Sequence, residues 1–216
     1  MQATVQGGEA QLRKRLVRWA ASLFQRGYTA GASGNISARC GAGFLMTPTN
    51  SCLGFLDADR LARLDADFAH VEGDPPSKEV FLHRAFYAAR PDARAVVHLH
   101  STFATALSCL ADTDRDDAIA PITPYVVMRV GRVPVVSYSH PGDAKAEPMI
   151  ERAARGAAAV LLANHGPVVA GASLDAAVFA AEELEETAKL AVLLHGRDVR
   201  HLTQEQVAEL RRRFVR

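Results

Sequence analysis

Two histidines, His98 and His100, stand two residues apart in the apolar stretch AVVHLHS over residues 95–101. Alternate side chains of a β-strand share a face, so a strand brings the two imidazoles side by side, whereas a helix turns them about 200° apart. The valines favour a strand. Two neutral imidazoles on one strand form half of a site for a divalent metal such as zinc. Taken alone, such a pair is more often two partly buried histidines that hydrogen-bond to the backbone.

A third histidine, His165, follows the apolar run of residues 160–163 within the sequence Asn-His-Gly. A side chain at a strand end can reach a cleft, and the glycine lets another group approach. Three histidines leave one coordination position open, which is typical of a catalytic zinc and not of a structural one. Taken alone, His165 is equally consistent with a loop histidine at a strand end.

The sequence Ser77-Lys78-Glu79 begins a predicted helix over residues 78–90, with Ser77 as its N-cap. Unsatisfied backbone N–H groups converge there with a serine and a lysine, which favours a phosphate. Glu79 is then a candidate acid or base near a metal, although a glutamate that only favours the helix dipole is more common. His83 is a rival metal ligand that we interpret as a contact between helix and sheet.

These residues must be positioned by several short strands between helices at both ends of the chain, a pattern that predicts one layered α/β domain. Hydroxyl-rich turns at 31–37 and 47–51 can face an anion. The acidic cluster at 182–186 is interpreted as mostly a solvated face. The pattern predicts helices over 9–26, 57–64, 101–110, 145–155, 173–195 and from Thr203 onward, strands over 160–163 and 168–170, and two strands within 125–138 separated by Gly131-Arg132.

Length and composition narrow the class of protein. The 216 residues suffice for a single domain, 1–216, with residues 1–8 and the last residues expected to be flexible. Because 25 Lys and Arg balance 24 Asp and Glu, no nucleic-acid or membrane partner is expected. Three cysteines without a C-x-x-C pair favour free thiols, and no signal peptide or run of about 18 apolar residues is present, so a cytoplasmic protein is predicted.

Five ordered motifs resemble the class II aldolase/adducin family over about residues 10 to 195. The motifs are SGNIS at 33–37, TPTNS at 47–51, SKE at 77–79, AVVHLHS at 95–101 and LLANHG at 161–166. With TPYVVMR at 123–129 and EELEE at 182–186, they look most like the branch of 3-oxo-tetronate 4-phosphate decarboxylases. The resemblance implies a single three-layer α/β/α domain with a central, mostly antiparallel sheet.

The resemblance also implies a metal and a proton-transferring group. One divalent metal per subunit, usually Zn²⁺ with Mn²⁺ or Co²⁺ as alternatives, would be bound by His98, His100 and His165. Glu79 would transfer the proton and ligate the metal before substrate arrives. Tyr125 falls near the position of a tyrosine that, in the aldolases, assists catalysis from a neighbouring subunit. Members of the family commonly form fourfold rings, so a homotetramer is expected.

The substrate phosphate would be held by two turns and by the start of the helix. The residues implied are Ser33, Gly34, Asn35, Thr49, Asn50, Ser77 and Lys78. Asn50 stands where the aldolases usually have glycine and Lys78 where they have a second serine, which argues against aldolase specificity. Arg129 and Lys78 are the candidate cations for the departing carboxylate.

The implied activity is a metal-dependent carbon–carbon lyase that converts a phosphorylated four-carbon sugar acid to dihydroxyacetone phosphate and CO₂ through a metal-stabilised enediolate. One alternative is an aldolase or epimerase of the same family, such as an L-fuculose phosphate aldolase. A second alternative is a non-catalytic scaffold like the adducin head domains, which should lack the metal ligands.

Overall fold

The computed structural model describes residues 2–214, with side chains from residue 8 onward. Most of the positions expected to be flexible, at 1–8 and at the last residues, lie outside the described side chains. The helices are α1 (Gln2–Gln25), α2 (Val80–Ala89), α3 (Thr102–Cys109), α4 (Pro124–Arg129), α5 (Glu147–Ala154), α6 (Leu174–Leu194) and α7 (Gln204–Phe214). The strands are β1 (Asn35–Cys40), β2 (Gly43–Met46), β3 (Ala62–Leu64), β4 (His70–Glu72), β5 (Ala95–His98), β6 (Val135–Val136), β7 (Ala159–Leu162) and β8 (Gly166–Gly171).

The eight strands form one sheet in the order β4-β3-β2-β1-β5-β8-β7-β6. Neighbouring strands are antiparallel except for the parallel pair β6 and β7. Helices cover both faces, so the predicted three-layer α/β/α domain with a mostly antiparallel sheet is confirmed.

The central strand β5 divides its side chains between the two layers. Val97 is buried in a core with residues of α1, α3, α4 and α6, including Leu16 and Leu184. Val96 is buried in the opposite core with residues of α2 and α5, including Phe86. Because His98 follows Val96 by two residues, it lies on the α2 face of the sheet. The alternation that the sequence predicted therefore brings His98 toward the helix that begins after Glu79.

The helix predicted over residues 57–64 is wrong. Asp57 does act as an N-cap, since its carboxylate accepts a hydrogen bond from the Asp59 N–H at 3.0 Å, but only the 3-10 turn Ala58–Arg60 follows. The chain then enters β3, where Ala62 and Leu64 are buried and pair with β2. Pairing with the sheet thus overrides the local helix signal.

The first of the two strands predicted within residues 125–138 is also wrong, because the residues up to Arg129 form α4. The Thr123 side chain accepts a hydrogen bond from the Val126 N–H, and Pro124 occupies the first helical turn. A threonine N-cap followed by proline is a strong helix start, and here it outweighs the strand preference of the valines. The second strand is confirmed, although it is only two residues long, β6.

Several predicted helix ends are confirmed by their caps. The Ser173 hydroxyl accepts from the Ala176 N–H at 3.0 Å, and Gly196 ends α6 with a φ of 73°. Thr203 and Gln206 bond reciprocally at the start of α7, as expected of a capping box. The first helix starts at Gln2, earlier than predicted. Within the described residues, no helix combines the length and apolar character needed to cross a membrane.

Candidate active site and metal centre

Four of the predicted residues meet at one point: Glu79, His98, His100 and His165 each direct one ligand atom to within 4.8 Å of the others. The Nε2 atom of His100 lies 3.1 Å from Nε2 of His98 and 3.0 Å from Nε2 of His165. The Glu79 oxygens lie 3.5 Å from Nε2 of His98 and 3.4 Å from Nε2 of His165. Residues far apart in the sequence thus form a single cluster.

Each ligand stands at the end of a structural element. His98 is the last residue of β5, whereas His100 lies beyond the strand, which was predicted to continue to Ser101. His165 occupies the turn between β7 and β8. At Gly166, with φ of 154°, an added Cβ would lie 2.4 Å from the Leu99 carbonyl oxygen. Glycine is therefore required for β8 to begin against the segment that carries His100.

The hydrogen bonds and burial of the histidines favour neutral imidazoles, the form that binds a metal. The Pro167 carbonyl can only accept, so Nδ1–H of His98 donates to it, at 2.9 Å, and Nε2 keeps its lone pair toward the cluster. Burial, reinforced by the neighbouring histidines, lowers the pKa of His98 to about 3. Burial also lowers the pKa values of His100 and His165. All three imidazoles are therefore neutral near pH 7.

Glu79 is ionised in this setting. Burial by itself raises its pKa, but the charge that His98 carries if it is protonated and a hydrogen bond donated by Asn35 favour the carboxylate and hold the pKa below its usual value. The Asn35 amide nitrogen lies 2.9 Å from the carboxylate. The carboxylate thus presents negative charge to the three imidazole nitrogens.

This set of donors fits a divalent transition metal. A tetrahedron with bonds of about 2.05 Å has edges of about 3.3 Å. Four of the six spacings among the ligand groups, 3.0 to 3.5 Å, bracket that value, and all four ligand atoms lie within 4.8 Å of one another. The Nε2 lone pair of His98 and the Glu79 carboxylate both face the centre of the cluster, where a cation would relieve their mutual repulsion. Imidazole with carboxylate is a donor set suited to zinc and to neighbouring first-row metals.

A cavity of about 320 Å³ opens beside the cluster. It is lined by the 31–37 turn, the 47–51 turn and the residues that precede α2. Every predicted phosphate-binding residue lines it: Ser33, Gly34, Asn35, Thr49, Asn50, Ser77 and Lys78. Pro141, which the sequence did not indicate, also lines it and lies in the loop before α5.

The contacts of individual residues that line this cavity show which of them shape the turns around it. The Ser33 hydroxyl donates to the Ala30 carbonyl at 2.6 Å, so Ser33 shapes the turn. Asn50 has a φ of 53°, a conformation that asparagine and glycine adopt most readily, which explains why either residue suits this position. Ser77 accepts from the Glu79 N–H at 3.2 Å, and the helix begins only at Val80. A phosphate-binding role stays a prediction for all seven residues.

Two predicted residues lie away from the cluster within one subunit. Tyr125 is 54% exposed and lines a separate cavity of about 410 Å³ together with Arg129 and Phe179. The Arg129 guanidinium lies 6.0 Å from the Phe179 ring centre, so it does not face the substrate cavity of its own subunit. Tyr125 and Arg129 therefore do not line the cavity beside the cluster within this chain.

The predicted helix-to-sheet contact of His83 is confirmed, and His83 is not part of the metal cluster. Its Nε2 lies 2.5 Å from the Asn35 Oδ1 and its Nδ1 lies 2.7 Å from the Ser37 hydroxyl. Burial lowers the pKa of His83 to about 3, so it is neutral.

One member of the acidic cluster, which was predicted to be mostly a solvated face, is buried. The buried Glu185 carboxylate accepts hydrogen bonds from the Phe103 and Ala104 N–H groups, both at 2.8 Å. Among the described residues, the Ser101 hydroxyl is a buried polar atom without a partner. Glu185 of α6, and not the adjacent serine, therefore caps α3, which starts two residues after His100.

Comparison with known proteins agrees with this geometry. The family model described as class II aldolase and adducin N-terminal domain matches residues 14–192. A protein of Pectobacterium atrosepticum named 3-oxo-tetronate 4-phosphate decarboxylase is 52% identical over 94% of this chain and 93% of its own length. An L-fuculose phosphate aldolase of Methanocaldococcus jannaschii is 35% identical over 84% of this chain and 96% of its own. The crystal structure of YgbL from Klebsiella pneumoniae superposes with a TM-score of 0.91 at 50% identity, covering 94% of this chain and 99% of that one.

Proposed function

The chain belongs to the class II aldolase and adducin family, and we propose that it decarboxylates a 3-oxo-tetronate 4-phosphate to dihydroxyacetone phosphate and CO₂. One observation carries the choice of reaction: identity is 52% to a relative named as that decarboxylase and 35% to a relative named as an aldolase. The cluster of Glu79 and three histidines beside a polar cavity supports metal-dependent catalysis in either case.

The proposed ligands of the cation are His98, His100, His165 and, in the free enzyme, Glu79. The proposed cation is Zn²⁺, because three neutral imidazoles suit it, with Mn²⁺ and Co²⁺ as alternatives. A divalent cation bound there supplies a Lewis acid that stabilises negative charge on a substrate oxygen.

Binding of the substrate phosphate would begin at the mouth of the cavity. Lys78 is exposed there and its side-chain stem lies beside the 140–143 loop, since a Cβ at Gly142 would lie 3.6 Å from its Cδ. Thr49 and Ser77 supply hydroxyls on the same wall. A phosphate held at this end positions the opposite end of a four-carbon substrate toward the cluster.

The proposed role of Glu79 is proton transfer. When the bond between carbons 1 and 2 breaks, CO₂ leaves and the electron pair stays on the remaining three-carbon fragment. That fragment needs one proton at carbon 2 to become dihydroxyacetone phosphate. Glu79 would take a proton from solvent through the open cavity and deliver it there, while Asn35 orients the carboxylate.

The test is a CO₂-release assay on 3-oxo-tetronate 4-phosphates of both configurations, with and without a chelator. We expect equal amounts of CO₂ and dihydroxyacetone phosphate from at least one configuration, loss of activity with chelator, and recovery on adding Zn²⁺. Absence of CO₂ from both substrates with the zinc-loaded protein would refute the proposal.

An aldolase or epimerase is the second candidate, because an L-fuculose phosphate aldolase is 35% identical over 84% of this chain. Incubation with dihydroxyacetone phosphate and short aldehydes separates the two activities. An aldolase condenses them, whereas the decarboxylase should yield little product. A non-catalytic scaffold is disfavoured by the four convergent ligands, and it predicts no bound divalent metal in elemental analysis.

We also propose that the chain forms a homotetramer. Large apolar side chains are exposed on α4 and α6, including Tyr125 at 54% and Leu193 at 62%. An assembly that covers them would let Tyr125 reach a neighbouring subunit. Light scattering that gives the mass of one subunit would exclude this arrangement. A cytoplasmic location stays a prediction.

A further inference from the structure

A continuous row of buried hydrogen bonds runs from the Glu79 carboxylate into the core. The Asn35 amide nitrogen lies 2.9 Å from Glu79 Oε2, and the Asn35 Oδ1 lies 2.5 Å from His83 Nε2. His83 Nδ1 lies 2.7 Å from the Ser37 hydroxyl, which lies 3.0 Å from the Tyr87 hydroxyl. All five side chains are buried, with exposures of 0 to 6%.

The groups at both ends of this row require hydrogen-bond donation to run in the same direction, from Tyr87 toward Glu79. At one end the ionised carboxylate only accepts, so the Asn35 amide must donate, and its Oδ1 must then accept from an Nε2–H of His83. At the other end, burial keeps Tyr87 a phenol by raising its pKa, and Ser37 is the one side-chain partner found for its hydroxyl among the described residues. Tyr87 therefore donates to Ser37, because a buried hydroxyl proton without an acceptor is costly. Ser37 in turn donates to Nδ1 of His83.

We propose that His83 is a positioning residue: held by Ser37 in its Nε2–H tautomer, it fixes the Asn35 amide so that an N–H, and not the oxygen, faces the Glu79 carboxylate. The opposite tautomer would accept from the Asn35 amide group and turn its Oδ1 toward the carboxylate. Two oxygens would then face each other, and the carboxylate would rotate away from the histidine cluster. His83 touches neither substrate nor metal and acts through Asn35.

Three substitutions at position 83 separate this role from packing. His83→Gln keeps an N–H near the position of Nε2, whereas His83→Asn reaches only toward Ser37 and His83→Leu offers neither contact. Phe86→Leu is the control, since Phe86 is as fully buried in α2 as His83 and its side chain has no hydrogen-bonding group. The inference rests on the proposed function only where turnover is measured.

Turnover and zinc affinity are the first readouts. If Asn35 turns and its hydrogen bond to the charged Glu79 is lost, kcat should be about 10- to 100-fold lower for His83→Leu and His83→Asn, with KM within about twofold. Zn²⁺ affinity, measured by calorimetry, should fall by a similar factor. His83→Gln should recover most of both, and Phe86→Leu should change only stability. Equal losses in the three variants, or losses no larger than those of Phe86→Leu, would reduce His83 to a packing residue.

The tautomer of His83 is measured independently in the zinc-loaded wild-type protein from its ¹⁵N chemical shifts. A protonated Nε2 with an unprotonated Nδ1 supports the proposal, and the reverse overturns it. If the wild-type protein releases no CO₂, the proposed function fails, while the tautomer and zinc affinities still decide the role of His83. If His83→Leu does not fold, the comparison of His83→Gln with His83→Asn decides it.

Discussion

Removing the Glu185 carboxylate should destabilise the start of α3, next to the metal cluster. Two backbone N–H groups, of Phe103 and Ala104, donate to this carboxylate at 2.8 Å, and Glu185 is 7% exposed. In Glu185→Ala both N–H groups lose their acceptor in a buried place. At about 1–3 kcal/mol for each unsatisfied group, the expected loss in the free energy of unfolding is about 2–6 kcal/mol.

Glu185→Gln tests the contribution of charge. Its side-chain oxygen can still accept from one N–H, so the expected loss is smaller, about 1–3 kcal/mol. Glu186→Gln is the matched control, since Glu186 is the next residue of α6 and is exposed; its change should stay within about 0.5 kcal/mol.

The measurement is unfolding in urea and by heat at one fixed protein concentration, because assembly also shifts apparent stability. A chain of this size shifts by about 2–4 °C per kcal/mol, so Glu185→Ala should melt about 4–24 °C below wild type. Zinc affinity should fall with it, because α3 begins two residues after His100. A melting temperature unchanged in Glu185→Ala would refute the reasoning, since it would mean that other groups satisfy the two N–H donors.

Three further outcomes are expected. Glu79→Gln should lower kcat by about 10²- to 10⁴-fold while the circular dichroism spectrum stays that of wild type; a wild-type rate would remove Glu79 from proton transfer. Gly166→Ala should cost about 2–4 kcal/mol of stability and weaken zinc binding, because its Cβ would lie 2.4 Å from the Leu99 carbonyl oxygen; unchanged urea unfolding would contradict this. The folded-state pKa of His83, about 3, lies below its ordinary value of 6.5, so the unfolded chain takes up the proton first and stability falls as pH falls. Between pH 7 and pH 5 the wild-type protein should lose about 2 kcal/mol of unfolding free energy through His83, and His83→Gln should not lose it. Equal pH dependence of urea unfolding in both proteins would count against a neutral buried His83.

The sequence by itself indicated which histidines, with Glu79, form the cluster in the structure, and it indicated most helix ends. Strand alternation was enough to indicate that His98 and His100 approach each other, although β5 ends at His98 and His100 lies just beyond it. His165 was indicated by a glycine beside a strand end. The caps at Ser173 and Thr203 formed as predicted because capping is satisfied within a few residues of the chain. Strand alternation and helix capping depend mainly on residues that are neighbours in the sequence, so they can be predicted from it.

Tertiary structure decided what depends on distant partners. Residues 62–64 became a strand because β2 was there to pair with them, against a local helix signal. Glu185 looked like part of a solvated face, and only the approach of α3 gave its carboxylate two buried N–H groups to cap. The row from Tyr87 to Glu79 likewise joins β1, α2 and the metal cluster through contacts between residues 44 to 50 positions apart. Burial and hydrogen-bond direction are properties of the packed core, and no short stretch of the chain encodes them alone.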